Sequence, residues 1–492
     1  MVKPMQRLSE QLEENLQALD AMFGTSADYY AKRVELYGCP AALLLFDGLA
    51  SLESLWQLLL DAADRDAASF DLNHQSVSPN GRAVFAHILH HSALPAESTA
   101  VQDMDTLIKD MTAGIAVLLL DGCAEGIAFS VQGLKFRSVE EPSAEGNIRG
   151  SREGFADLLR VNLTLLRRLI RTSDLVLEVA QANTAMRTEY ALCYSRTTAD
   201  PNAVKKLRRI LQDAKPEMLL DSSYFMPWIA PRRFRLFSPV AYTERPAVAA
   251  AKICEGKLVV LVNGSPSAMI LPALFCENFE CLDDYGTTAY FSSFLRVLKY
   301  AAFYLTVFLP GAFVCTAVYL PELIPPQLLY KIQAAEKATP LPLFAEMVLV
   351  ILILEVIREA GLRMPQSLGN SVSLVAALII GDAAIGTGLL STPVILVASI
   401  TSIAVFVTPS LYEVASVLRL GVVLAAGLAG PVGFAAAVLF VLLTLAQVSL
   451  FDVDYLSPKA FPQKPLAADG MTRRNYRRLS ERRFNIWRRR RQ

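Results

Sequence analysis

Between residues 291 and 452 the chain becomes almost continuously apolar, and no other feature of its 492 residues constrains the fold as much. A run of that length is too apolar for the surface and too long for one soluble core. It separates into apolar stretches near residues 301–320, 343–357, 371–389, 393–409, 415–430 and 432–450. A membrane-spanning helix needs about 20 residues, so several of these are short, and Pro310, Pro393, Pro409 and Pro431 interrupt the run. The expectation is an all-α polytopic membrane domain over 291–455 made of tilted, broken or re-entrant helices. Six crossings is the estimate and four the smaller alternative.

Residues 1–290 read differently, alternating short apolar strands with charged helical segments in an α/β pattern. Whole-chain composition agrees with two joined zones: 53% hydrophobic and 19% charged residues is too apolar for a soluble protein and too charged for one embedded throughout. Lysine plus arginine equals aspartate plus glutamate at 47 each, so net charge gives no argument for nucleic acid. The N-terminal segment Met1–Ala31 carries Leu8, Leu12, Leu16 and Leu19 among polar residues, an amphipathic helix without the apolar core of a signal peptide. The first strand is expected at Ala41–Phe46, closed by Asp47-Gly48. Gly114–Gly122 aligns without gaps on Gly256–Gly264, each a buried strand ending in Asp-Gly or Asn-Gly and followed by a second strand. This points to two related α/β subdomains, 1–145 and 146–290.

Seven cysteines without a C-x-x-C pair, an odd number, fit a reducing compartment. The tail 456–492 holds twelve Lys or Arg against two acids. After a membrane span, such a tail orients the protein and contacts anionic lipid in preference to nucleic acid. Both termini are then cytosolic, which requires an even number of crossings.

The linker Glu140-Glu-Pro-Ser-Ala-Glu-Gly-Asn-Ile-Arg-Gly-Ser-Arg-Glu-Gly-Phe155, followed by Asn162, Arg167, Arg168 and Arg171, resembles the E-P-x-x-E-x-x-I-R-G-P-R-E-G-F signature of the A-subunit family of GerA-type spore germination receptors. The likeness continues through Glu244-Arg-Pro246, Asn263-Gly-Ser-Pro266, Leu282-Asp-Asp-Tyr285, Pro321-Glu-Leu-Ile-Pro325, Glu355-Val-Ile-Arg-Glu-Ala-Gly361 and Tyr455-Leu-Ser-Pro458. It covers about residues 40–458 in order. The resemblance implies a multi-pass protein of the inner spore membrane that assembles with B and C subunits and with itself into a nutrient-responsive ion channel; a solute transporter working by alternating access, or a non-conducting scaffold subunit, is the alternative. A sporulation paralogue of the same architecture acts as an amplifying channel. Three departures bear on ion handling: the family's F-H-P-E reads Tyr319-Leu-Pro-Glu322, Ile351 replaces a common Glu, and Gly386 and Thr387 stand where another acid is frequent.

Ionisable groups inside a membrane are costly and point to function. Glu346, Glu355, Arg358, Glu359 and Asp382 are therefore the pore or gate candidates. Glu355, Arg358 and Glu359 share a helical face, and Arg358 can pair with either acid. Glu346, nine residues before Glu355, falls about half a turn away. In the linker, Glu141, Glu145, Arg149, Arg152 and Glu153 suit ion pairing at an interface between subdomains or subunits. Glu322 reads as a solvated loop residue, and His87, His90 and His91 as part of a surface helix. No catalytic triad, phosphate loop, metal set or cofactor motif accompanies these residues, and no enzyme activity is expected.

Overall fold

The computed structural model describes residues 7–50, 81–90, 98–130, 142, 145–146, 150–231, 235–363, 386, 388–456, 473 and 486–487. They form two bodies, one of residues 1–232, 240–272 and 483–492, the other of residues 233–239 and 273–482.

The first body holds two five-stranded antiparallel sheets. In the first, β1 (Tyr29–Leu36), β2 (Cys39–Phe46), β3 (Ser98–Val101), β4 (Ala116–Leu120) and β5 (Gly126–Phe129) are ordered β1-β2-β4-β5-β3. Helices α1 (Leu12–Phe23), α2 (Gly81–His90) and α3 (Met104–Thr112) complete it. Alternate residues of β2 explain why that strand is continuously apolar. Ala41, Leu43 and Leu45 pack with Val84, Phe85 and Ile88 of α2, while Ala42, Leu44 and Phe46 pack with Leu16, Leu19 and Phe23 of α1 and Leu107 of α3. A strand covered on both faces has no polar side to show. The first strand is Tyr29–Leu36 rather than Ala41–Phe46: β1 is an edge strand whose middle residues Ala31, Lys32 and Arg33 are exposed, so it lacks the apolar signal of a core strand.

In the second sheet, α4 (Leu159–Leu169) precedes β6 (Leu175–Gln181) and β7 (Glu189–Ser195), and α5 (Pro201–Asp213) follows. Next come β8 (Ala241–Thr243), α6 (Pro246–Cys254), β9 (Leu258–Val262) and β10 (Ala268–Leu271). The strand order is β6-β7-β9-β10-β8, the same as in the first sheet.

The repetition extends to individual hydrogen bonds. Asn15 accepts from and donates to the backbone of Ser9 (2.9 and 2.8 Å), as Asn162 does with Ala156 (2.7 and 2.6 Å). The N–H of Leu12 donates to the Asp121 side chain at 3.1 Å, and that of Leu159 to Asn263 at 3.0 Å. The next glycine in each turn, Gly122 (φ 78°) and Gly264 (φ 92°), donates to Glu10 and Asp157 respectively. A positive φ favours glycine at both places. The Asp-Gly and Asn-Gly pairs of the aligned segments therefore do the same work twice, tying each sheet's central hairpin to the start of its helix.

The second body is helical: α7 (Ala289–Tyr319), α8 (Pro326–Lys337), α9 (Leu343–Arg363), α10 (Thr392–Ala404) and α11 (Tyr412–Gln447), then the small hairpin β11 (Ser449–Leu450) and β12 (Val453–Asp454). Among the described residues, two helical segments, Ala289–Tyr319 and Pro409–Gln447, are long and apolar enough to cross a membrane. Pro310 does not break its helix. It lies buried inside continuous α7. Pro393 sits in the first turn of α10, where no intrahelical N–H is lost.

Pro431 does mark a break. Gly430 has φ 58° and ψ −139° inside α11. Before it the chain climbs along α7, with the Cβ position of Gly311 2.6 Å from Val422 and that of Gly430 3.0 Å from the Tyr319 ring. After it, Phe434 is already back beside Phe308, ring centroids 6.5 Å apart. A Cβ on Gly433 would overlap the carbonyl of Ala425. So α11 is a helical hairpin with two apolar arms, turned at one glycine.

Candidate functional site

Helix α9 carries the acids on which the site is built. Its sequence is apolar on every side except for Glu346 in its first turn and Glu355, Arg358, Glu359 and Arg363 toward its end. Their spacing sends them to different neighbours.

Glu346 has no exposed surface. One carboxylate oxygen accepts from the backbone N–H and the hydroxyl of Ser391, at 3.2 and 2.6 Å, where α10 begins. Its other oxygen has no partner among the described residues. Around it Leu343, Met347, Val350, Leu390 and Val394 form an apolar cluster.

Glu355 turns instead to α11. Arg419 reaches it at 2.8 Å, Arg358 at 3.1 Å, and the Tyr412 hydroxyl donates to it as well. Arg419 is buried and also donates to Ser402 at 3.2 Å. The Arg358 guanidinium stacks on the Tyr412 ring, 3.8 Å from its centroid, a cation–π contact. Glu359 meets Arg358 at 3.7 Å and Arg363 at 2.7 Å. Two arginines around Glu355 leave its charge more than neutralised, so the cluster holds helices together and offers no bare carboxylate to a cation. Arg419 was the member hardest to find: it sits alone in an apolar run, and only its improbable cost there signals a partner.

Asp382 lies outside the described residues, as do Glu141 and Arg149. Glu322 is exposed. The side chains of His87 and His90, and all of His91, are outside them too.

Of the described linker residues, Glu145 and Glu153 bond to residues of the second subdomain. Thr243 donates to the Glu145 carboxylate at 2.9 Å, and Arg245 grips the carbonyls of Glu145 and Ser151, the latter at 2.7 Å. Burial pushes the Glu145 carboxyl up from its ordinary value. Glu153 pairs with Arg168 of α4, and Arg152 is exposed.

A different arginine joins the two subdomains. Arg167 of α4, wholly buried, binds both oxygens of Asp28 (2.6 and 2.9 Å), the Ser26 hydroxyl (2.8 Å) and the carbonyls of Thr172 and Leu175 (both 3.2 Å). Beside it, the N–H of Ala27 donates to Leu177 of β6.

A third buried pair lies in the second body, where Arg296 of α7 meets Asp284 at 2.8 Å. From the tail, Arg473 joins it, donating to the carbonyls of Asp284 and Thr287. In the first body the tail's Trp487 donates its indole N–H to Gly256 at 2.7 Å and is buried. All seven cysteines are free, and the described residues hold no group of three metal-ligating side chains.

Residues 17–484 match the Bacillus/Clostridium GerA spore germination protein family, and the chain belongs to it. It is 28% identical to spore germination protein KA of Bacillus subtilis (strain 168), over 94% of this chain and 84% of that protein. To spore germination protein B1 of the same strain it is 30% identical, over 92% of each. To stage V sporulation protein AF, also of that strain, it is 27% identical over 88% of this chain and 86% of that protein. Among solved structures, it is similar to the N-terminal domain of the A subunit of the Bacillus megaterium spore germinant receptor GerK3, at 24% identity and a TM-score of 0.43, covering 56% of this chain and 99% of that one.

Proposed function

We propose that this chain is the multi-pass A-type subunit of a nutrient-gated ion channel in the inner spore membrane. It works in a homo-oligomer with B and C subunits, both of its termini lie in the cytosol, and it has no enzymatic activity. The observation that carries the reading is Glu346, an acid without exposed surface among apolar helices, one oxygen held by Ser391 and the other unpartnered among the described residues. A buried carboxylate is expensive to keep. In a channel subunit it serves ions passing close to α9. The Glu355 cluster then acts as a lock between α9 and α11, its charges spent on one another. Partner subunits that sense nutrient shift the equilibrium between locked and unlocked states.

Planar-bilayer recording of the chain with its B and C partners, with and without germinant mixtures, tests this. Glu346→Gln is expected to alter conductance or selectivity, and Glu355→Gln to raise current without germinant. Silence from inserted, oligomeric protein rejects the channel. A non-conducting scaffold is the second reading, favoured by the three donors that occupy Glu355. The near-equal identities to receptor proteins and to stage V sporulation protein AF leave the amplifying role to the same recordings, as current in the absence of B and C partners.

A further inference from the structure

At the tip of the α11 hairpin a hydroxyl from α7 reaches the backbone of the first arm, beside Gly427, on which Phe344 of α9 packs. Gly427 lies in the last turn of the first arm, and its carbonyl lacks the usual donor four residues on because residue 431 is proline. In an apolar surrounding such a carbonyl is costly unless something donates to it. The last residue of α7 does so: Tyr319 donates its hydroxyl to Gly427 at 2.6 Å, while its ring lies 3.0 Å from the Cβ position of Gly430. Yet Tyr319 keeps 42% of its surface exposed, and at the same tip Leu428 and Val432 are 76% and 77% exposed. The bond can therefore be given up to another donor without unpacking a core.

The arm it holds is one helix from Tyr412 to the turn. Near its other end stand Tyr412 and Arg419, which hold Glu355. What happens at Gly427 is thus felt at the charge cluster through one rigid element.

We propose that the Tyr319 hydroxyl is a releasable latch on this hairpin: bonded, it keeps the first arm of α11 seated on α7 and the Glu355 cluster closed, and its release frees the arm to move. This rests on the channel reading for its consequence, and on the geometry alone for the latch.

The test uses the full chain in lipid nanodiscs, with Tyr319→Phe, which keeps the ring under Gly430 and removes only the hydroxyl. Amide hydrogen exchange is read by mass spectrometry on peptides covering residues 424–430, with residues 303–310 of α7 as the internal control. The latch predicts exchange about tenfold faster in 424–430 and unchanged in the control, the loss of one net hydrogen bond. Equal exchange in wild type and variant overturns the proposal, and so does acceleration in both segments, which is general loosening. Bilayer recordings then separate the latch from the channel. Faster exchange with current in the absence of germinant supports both. Faster exchange in a protein that conducts only with germinant, as wild type does, overturns the gating role. Faster exchange with no current from either protein keeps the latch and rejects the channel.

Discussion

Replacing Arg167 with methionine keeps much of the side chain's length and apolar bulk but removes the donors that join the two α/β subdomains. Two hydrogen bonds to Asp28, one to Ser26 and two to backbone carbonyls are lost together. Asp28, almost as buried as Arg167, keeps only the Ser26 hydroxyl at 2.7 Å. Breaking a buried ion pair from one side costs about 3–5 kcal/mol, because the other charge stays behind. In a body of this size each kcal/mol moves the melting temperature by about 2–4 °C, so Arg167→Met is expected to melt about 10 °C lower. None of the three tryptophans, Trp56, Trp228 and Trp487, falls within residues 233–239 or 273–482 of the helical body, so tryptophan fluorescence of the intact chain in nanodiscs tracks this unfolding without a signal from that body. Adding Asp28→Asn removes the abandoned charge and should recover about half of the loss, the two carbonyls remaining without donors. A shift under about 3 °C, or a double variant no better than Arg167→Met, refutes the assignment of this contact as the joint.

Glu145 is half-buried with its carboxyl pushed up, so its charged form weighs against the folded state above the ordinary carboxylate range, and the stability it contributes is present at acid pH and lost as pH rises through its folded value. Glu145→Gln should therefore melt above wild type at pH 7, with the gap closing toward pH 4; a gap that widens on acidification contradicts this. Gly430→Ala forces a side chain into φ 58° against the Tyr319 ring, at about 1–3 kcal/mol, measured by unfolding the helical body in sodium dodecyl sulfate. Arg419→Met should cost about 1–3 kcal/mol in the same titration by removing one of the three donors to Glu355, and its loss should not add to that of Glu355→Gln; additive losses argue against their pairing.

Much of this molecule is legible in its residues where physics is local. The aligned turns ending in Asp121-Gly122 and Asn263-Gly264 pointed to the duplication, and at both the side-chain acceptor and the positive-φ glycine serve the same local geometry. The i, i+3 and i, i+4 relations among Glu355, Arg358 and Glu359 likewise follow from helix geometry. Long-range partners were not legible. Nothing near Arg167 in the chain names Asp28, 139 residues away, and nothing near Glu355 names Arg419. Charge alternation drew attention to the linker, where Arg245, single and unremarked in Glu244-Arg-Pro246, turned out to grip Glu145 and Ser151. Pro310 misled for the opposite reason: a proline's cost in a helix is local, but continuous packing of α7 outweighs it.

The turn at Gly430 has no residue to spare, and this fixes the phase of the whole returning arm. Each residue added to a helix rotates the rest of the chain by about 100° and advances it by about 1.5 Å. One extra residue at the turn would swing Phe434 away from Phe308 and carry the apolar contacts of the returning arm to the wrong side. The hairpin therefore behaves as a keyed joint, tolerant of side-chain change along its arms and intolerant of any change in length at its tip. Among sequences of this kind, insertions should collect in surface loops such as 320–325 and be missing between 427 and 434.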